Sequence, residues 1–521
     1  MNKAMGIRST VVASVLALAS SMGWAARSFT PQAGTWAITE ELDGKPGRGL
    51  AIDVQGNTFF MQVFGYETNG DATFYTATGQ MDGDTVTAPL MQYQGGRSFG
   101  SDARDAVALE SPGKVTVSFA NGLQGTVQFP GEPGRAIQRF EMRSDDYVAR
   151  YWSAGETRSF LGTTLDSNAL AHRQVHINIG KPAQDLQWRV WMRGFHGVPW
   201  NTFICTKAAD QDIFRCTNSE PQPADGNEPY VQSIALRIVN VDLVAELVVL
   251  EQGAVLTYPV MGTAIGGGSG STITGCAFWL DLYIGDQINC NLSITPSSGT
   301  WLVEDEWTFK PGRGMAIDVQ NGMALAQVFN YLPSGRPTFH MGSGSFQKAQ
   351  TQLALNRYQG GRALGGPLQS AELAEAAGDL SLAFLYGGTS SRALSRVRGT
   401  VALPNEPQKQ MVRMALEPGA ADAQGLLGQW WLKFSTLIAP QDTVAVTLSR
   451  VEGLEAVSDD GAIRCTRADP AVPRRATCTW IRDGVTSTGY LFQEPGNRSG
   501  TVLQVRDRHG NLMGLGAVPL E

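Results

Sequence analysis

The feature that most constrains the fold of this chain is an internal repeat. Residues 34–100 return as residues 299–365 at a constant offset of 265, with 29 identities in 67 positions and no gap. Gly34-Thr35-Trp36 recurs as Gly299-Thr300-Trp301, and Lys-Pro-Gly-Arg-Gly (45–49) recurs at 310–314. Ala-Ile-Asp-Val-Gln (51–55) recurs at 316–320, and Tyr-Gln-Gly-Gly-Arg (93–97) at 358–362. A match of this length marks a duplicated structural unit rather than a short motif.

Inside the unit the pattern is one of short strands and tight turns. Leu50, Ile52 and Val54 alternate with Ala51, Asp53 and Gln55, the period of a half-buried strand. Gly56-Asn57, matched by Asn321-Gly322, supplies hairpin-turn residues, and Pro46-Gly47 suits the middle of a type II turn. Strands follow at Phe59–Tyr66, Thr73–Thr78, Thr85–Tyr93, Val115–Phe119 and Gly125–Phe129. Gly-Thr-Val and Pro-x-Glu-Pro recur at an offset grown to 274, so the second copy has nine extra residues in the preceding hairpin. Insertions of that kind belong at loop tips. Helical periodicity is scarce, with Leu368–Ala377 the best short candidate.

A second kind of domain follows each copy. Cys-Thr-x-Ala-Asp at 465–469 matches Cys205–Asp210 with one residue fewer, and Tyr230/Tyr490 and Pro259/Pro519 keep an offset of 260. The chain therefore reads as two A-B units. Residues 1–25 are a signal peptide, 26–145 domain A1, 146–260 domain B1, 261–295 a Gly/Ser linker with a disulfide hairpin, 296–415 domain A2 and 416–521 domain B2. The fold class is all-β: tandem small antiparallel meander barrels or sandwiches. With 521 residues, several domains are required in any case.

The signal peptide rests on Lys3 and Arg8 ahead of the apolar run Val11–Leu18 and on small residues before position 26. Export places the protein in the periplasm or outside the cell, where cysteines oxidise. The six cysteines fall into local pairs, Cys205–Cys216, Cys276–Cys290 and Cys465–Cys478, without the spacing of a zinc knuckle. The formal charge of −7, with 41 Lys and Arg and no basic block, excludes a nucleic-acid binder. Ile234–Leu250, the most apolar mature stretch, is interrupted by Arg237, Asp242 and Glu246 and reads as buried strands rather than a membrane span. A monomer without metal or cofactor is expected.

Residues for chemistry are few. There is no Gly-x-Ser-x-Gly elbow, and His172 and His176 are four apart without the Glu of a zinc protease. His196 sits among aromatics, and His340 replaces Tyr75 of the first copy. Glu40-Glu41 and Asp305-Glu306 are adjacent, so on a strand they point to opposite faces. Asp82-Gly83-Asp84 and Asp459-Asp460-Gly461 are too short for a calcium loop. The remaining candidates are Arg48, Asp53, Gln55 and Arg97, with Arg313, Asp318, Gln320 and Arg362 opposite them, beside Trp36, Tyr66 and Tyr93, with Trp301 and Tyr331 in the copy. Such a mixture lines pockets for sugars or polar small molecules. The commoner use of Arg and Asp at such spacing is to hold a turn against a strand.

Gly-x-Trp, Pro-Gly-Arg-Gly-x-Ala-Ile-Asp-Val-Gln, Val-Phe-x-Tyr, Gly and Thr-Phe, in that order, resemble a repeat of secreted proteobacterial proteins, a family with no assigned activity. The resemblance covers 34–97 and 299–362 and implies no chemistry; Phe74 and Phe339 stand where that repeat often has Trp. Gly-Thr-Trp also opens avidin-type barrels, but three residues do not carry biotin binding over. The expected function is an exported non-enzymatic binding or cell-envelope interaction protein, bivalent through two A domains for a polysaccharide or surface ligand. The alternatives are a secreted hydrolase using A-domain carboxylates and an inert structural protein.

Overall fold

The computed structural model describes residues 29–142, 157–164, 174–182, 184–193, 201–207, 213–222, 229–239, 242–268, 291–308, 310–387, 396–414, 416, 423–433, 443–467, 476–482, 485–493, 501–506 and 512–518. Residues 1–25, read above as a signal peptide, together with His172, His196, Cys276 and Cys290, lie outside them. The chain is all-β and built of closed antiparallel barrels. No helix among the described residues is long and apolar enough to cross a membrane.

A1 is an eight-stranded barrel that begins at Gly34–Ile38 and ends at Arg135–Arg139, and these two strands pair to close it, Trp36 opposite Arg139. A2 repeats the arrangement from Gly299–Val303 to Lys409–Arg413, with Trp301 opposite Arg413. Each barrel is filled by side chains: Trp36, Phe59, Phe119 and Phe129 in A1, Trp301, Phe346 and Phe384 in A2. The alternation read from Leu50, Ile52 and Val54 holds, with all three inside A1. The strand Gly49–Gln55 is nevertheless buried at every residue, not half-buried, because the other A barrel covers its outer face.

Three further expectations are corrected. Gly47 does not adopt the positive φ that a type II turn needs; Gly44 does, at +81°, so the turn bends earlier. Leu368–Ala377 is not helical: Glu372 begins a strand that runs to Gly387, after Ala371 N–H has bonded to Pro46 O at 2.7 Å. Glu40 and Glu41 lie on a short 3-10 turn, Thr39–Glu41, rather than a strand, so both reach one partner, Arg362. The longer hairpin of A2 is the pair Glu372–Gly387 and Arg396–Ala402.

B1 is an eight-stranded meander from Thr157–Thr164 to Ala254–Gly268, closed by pairing of these two. Cys205 and Cys216 are direct cross-strand neighbours and are bridged, as are Cys465 and Cys478 in B2. B2 closes after six strands, Val485–Gln493 pairing back to Gly428–Lys433. Thr501–Arg506 and Leu512–Val518 instead join Asn291–Thr295 in a three-stranded sheet. Met261 of B1 joins the A1 core, where it packs on Gly122.

Candidate functional site

The two A barrels pack outer face to outer face about a twofold relation inside one chain, and the predicted polar residues meet there. Asp53 of A1 reaches into A2: its Oδ2 accepts from Thr300 N–H at 3.2 Å, and Arg413 Nη2 donates to its Oδ1 at 3.0 Å. Asp318 of A2 reaches into A1 the same way. It accepts from Thr35 N–H at 2.9 Å, from Arg139 Nη1 and Nη2 at 2.6 and 2.8 Å, and from Ser298 Oγ at 2.8 Å. Burial alone would favour the neutral acid, but the Arg139 guanidinium and these N–H and O–H donors hold the Asp318 carboxyl below its ordinary range. Gln55 and Gln320 each bond backbone of the opposite barrel through both ends of the amide, Gln55 to Met414 O and Leu416 N and Gln320 to Phe140 O and Met142 N, while each Nε2 also donates to the aspartate of its own strand.

The arginines form two mirrored ion clusters at the edges of the same interface. Arg48 sits between Glu41 and Glu132, with Nη1 and Nη2 2.8 Å from the Glu132 oxygens, while Arg362 crosses from A2 to Glu41 at 3.0 Å. Arg313 sits between Glu306 and Glu406, and Arg97 crosses from A1 to Glu306 at 2.9 Å and to Glu406 at 3.3 Å. Gly365 N–H and Gly100 N–H close the clusters onto Glu132 and Glu406. Burial pushes the Glu41 carboxyl up against the pull of Arg48. Burial opposes ionisation of Glu132 and Glu406 too, but the Arg48 and Arg313 guanidiniums outweigh it and hold both carboxyls down.

Between the polar groups lies an apolar seam. Phe64 packs on Phe339 and Phe74 on Phe329, both with ring centroids 5.5 Å apart, and Tyr66 and Tyr331 extend the two stacks. The Tyr66 ring covers Gly361 and the Tyr331 ring covers Gly96 so closely that a Cβ at either glycine would overlap it. The predicted arginines, aspartates and glutamines, with Tyr66 and Tyr331, thus build one interface. Trp36 and Trp301 lie apart from it in their barrel cores, where their indole N–H groups bond Gln32 O and Ser297 O.

Sequence reasoning missed the partners. Glu132, Arg139, Glu406 and Arg413 follow the ungapped repeat, but Glu132/Glu406 and Arg139/Arg413 keep the second offset of 274, and that spacing was the available signal. It noted that His340 replaces Tyr75, but not that this change is one of a cluster. On the A2 strands Met323–Tyr331 and Pro337–Ser345, Val328 is opposite His340 and Asn330 opposite Thr338. Val328 belongs to the barrel core, so Asn330, Thr338 and His340 face the barrel interior at its mouth. A1 has Gly65, Thr73 and Tyr75 in these positions. Phe99 of A1 lies over the mouth, its ring 4.8 Å from the His340 imidazole.

No protein-family model matches this chain, and no curated protein is similar to it.

Proposed function

We propose that the protein is an exported, non-enzymatic binding protein of the cell envelope whose paired A barrels form a rigid platform. The observation that carries this reading is the fate of the polar residues common to both copies. Asp53, Asp318, Glu41, Glu132, Glu306 and Glu406 are each engaged by an arginine. A hydrolase needs a carboxylate whose proton affinity is tuned for transfer and which can reach its substrate. These carboxylates are instead committed to holding two barrels together. With the repeated residues enclosed, the A pair acts as one body rather than as two binding heads, and recognition falls to the surfaces and barrel mouths it presents.

The local disulfides and the leader-like residues 1–25 support an oxidising, exported setting. The test is binding of the full mature chain to peptidoglycan, to neutral polysaccharides and to envelope fractions, run beside turnover assays on glycan and ester substrates. Retention on one of these ligands without turnover is the expected result. Hydrolysis that disappears in a folded Glu132→Gln, Glu406→Gln variant would overturn it in favour of the hydrolase.

A further inference from the structure

We propose that the mouth of the A2 barrel binds one uncharged, hydroxyl-bearing ring of sugar size beneath Phe99 of A1. This names a ligand class and place for the binding-protein reading above, and rests on that reading for its neutral-glycan character.

Three side-chain atoms converge there without a hydrogen-bond partner: Asn330 Oδ1, Thr338 Oγ1 and His340 Nδ1. Their residues are 1%, 1% and 3% exposed. Folded proteins rarely leave such atoms unpaired, and three facing one barrel mouth mark a place where a partner from outside completes the bonds. The other A barrel gives the control. In A1 the Thr73 hydroxyl accepts a bond from Gln92 Nε2 at 3.0 Å, Gly65 brings no polar side chain, and the Tyr75 ring joins the core. In A2, Arg357 replaces Gln92 and turns to Glu375 instead, Nε to Oε1 at 3.0 Å, so Thr338 is left unserved.

The donor and acceptor pattern selects the ligand. Asn330 Oδ1 only accepts, so the ligand must offer an O–H or N–H; Thr338 can give or take a proton, and a neutral imidazole can do either. Burial pushes the His340 imidazole down to about 4, so it is uncharged at neutral pH and offers no ion pair. A charged ligand would lose its hydration in this buried site with no free counter-charge, because Arg357 and Glu375 already neutralise each other. The rings of Phe99 and His340 present flat faces suited to the C–H face of a pyranose. Phe99 stands in the entrance, half-buried beside the exposed Gly100 and with its ring against His340, so binding requires that ring to turn aside as the ligand enters.

The experiment titrates the full mature chain with glucose and with N-acetylglucosamine at millimolar concentration, followed by calorimetry and ligand-observed NMR. One site per chain is expected for at least one of these sugars. Asn330→Gly with His340→Tyr gives A2 the residues with which A1 already folds, and should weaken binding at least tenfold; Thr338→Val, which removes a single hydroxyl, should weaken it severalfold. Absence of binding by the wild-type chain to both sugars overturns the proposal, as does unchanged affinity in the double variant. If that variant still holds a polysaccharide as tightly as wild type, the mouth is not the site while the binding-protein reading stands. Sugar bound at the mouth but cleaved by the protein would instead sink the non-enzymatic reading and keep the site.

Discussion

The two A barrels are alike on one face and different at one end. Across their interface the contacts repeat pair by pair: Asp53 with Arg413 and Asp318 with Arg139, Arg362 with Glu41 and Arg97 with Glu306, Tyr66 over Gly361 and Tyr331 over Gly96. At the barrel mouth Gly65, Tyr75 and Gln92 of A1 correspond to Asn330, His340 and Arg357 of A2. The difference has a physical origin. A residue on the shared face contacts the opposite copy, so changing it unbalances a charge or a close fit supplied by the other barrel. A residue at the mouth faces its own barrel and meets the other copy through ring packing, Phe99 on His340 in A2, so a change there unbalances no charge across the joint. Duplication therefore fixed the joint and left the mouths free to acquire separate roles.

The largest effect should come from breaking the joint. Asp318→Asn leaves the Arg139 guanidinium buried without its counter-ion, which costs about 3–5 kcal/mol. Chemical unfolding followed by tryptophan fluorescence would report it, because Trp36 and Trp301 lie in the two barrel cores. Asp53→Asn should cost a similar amount, since Arg413 is left in the same position. Because the Asp318 carboxyl is held below its ordinary value, its contribution is complete above the unfolded pKa of about 3.9 and is lost as pH falls toward the folded value. A loss under about 1 kcal/mol in either variant would mean that the arginines find water and that the joint is looser than its geometry.

Much of this fold was legible in the sequence because it rests on local rules. The offset of 265 gave the duplicated barrels, alternation at Leu50–Val54 gave the inward face, and Cys205 with Cys216 gave a cross-strand bridge. The joint was not legible, because a strand carries no information on what covers its polar face. Asp53 and Gln55 read as ligand-facing or as part of an Arg–Asp pairing that holds the turn to its strand, but their partners Arg413 and Met414 are about 360 residues away on the other barrel. Leu368–Ala377 was misread for a related reason: its Ala, Leu and Glu content favours helix, but Ala371 is bonded to the Pro46 turn of the other barrel and Glu372 enters a sheet. His340 was visible as a difference from Tyr75, yet a difference alone does not reveal that Asn330 and Thr338 share its inward-facing side.

An intermediate effect tests the mouth without any ligand. The His340 imidazole is pushed down to about 4 by burial, from an ordinary value near 6.5. The unfolded chain therefore takes up a proton before the folded one does. Stability is unaffected above pH 6.5 and falls as pH drops from 6.5 to about 4, by about 3 kcal/mol in total. His340→Tyr, which installs the residue of A1, should flatten the stability profile across that interval and leave the acid limb set by Asp318 below it. An unchanged slope between pH 6.5 and 4 in that variant would show that the imidazole charges in place, a charge that the Glu375 carboxylate favours.

The smallest effect asks whether the twofold relation is energetic as well as geometric. Gly96→Ala and Gly361→Ala each drive a methyl group into a tyrosine ring of the opposite barrel, and overpacking of this kind costs about 1–3 kcal/mol. Neither glycine has a positive φ, whereas their neighbours Gly95 and Gly360 do, at +80° and +75°. Backbone strain is therefore not part of the cost, and the two substitutions report ring contact alone. Equal losses, adding in the double variant within about 0.5 kcal/mol, are expected for separated contacts of one kind. Unequal losses would trace to the tyrosine hydroxyls: Tyr331 Oη reaches Gly312 O at 3.5 Å while Tyr66 Oη is buried without a partner, so the Tyr66 ring is the freer to move and Gly361→Ala the cheaper change.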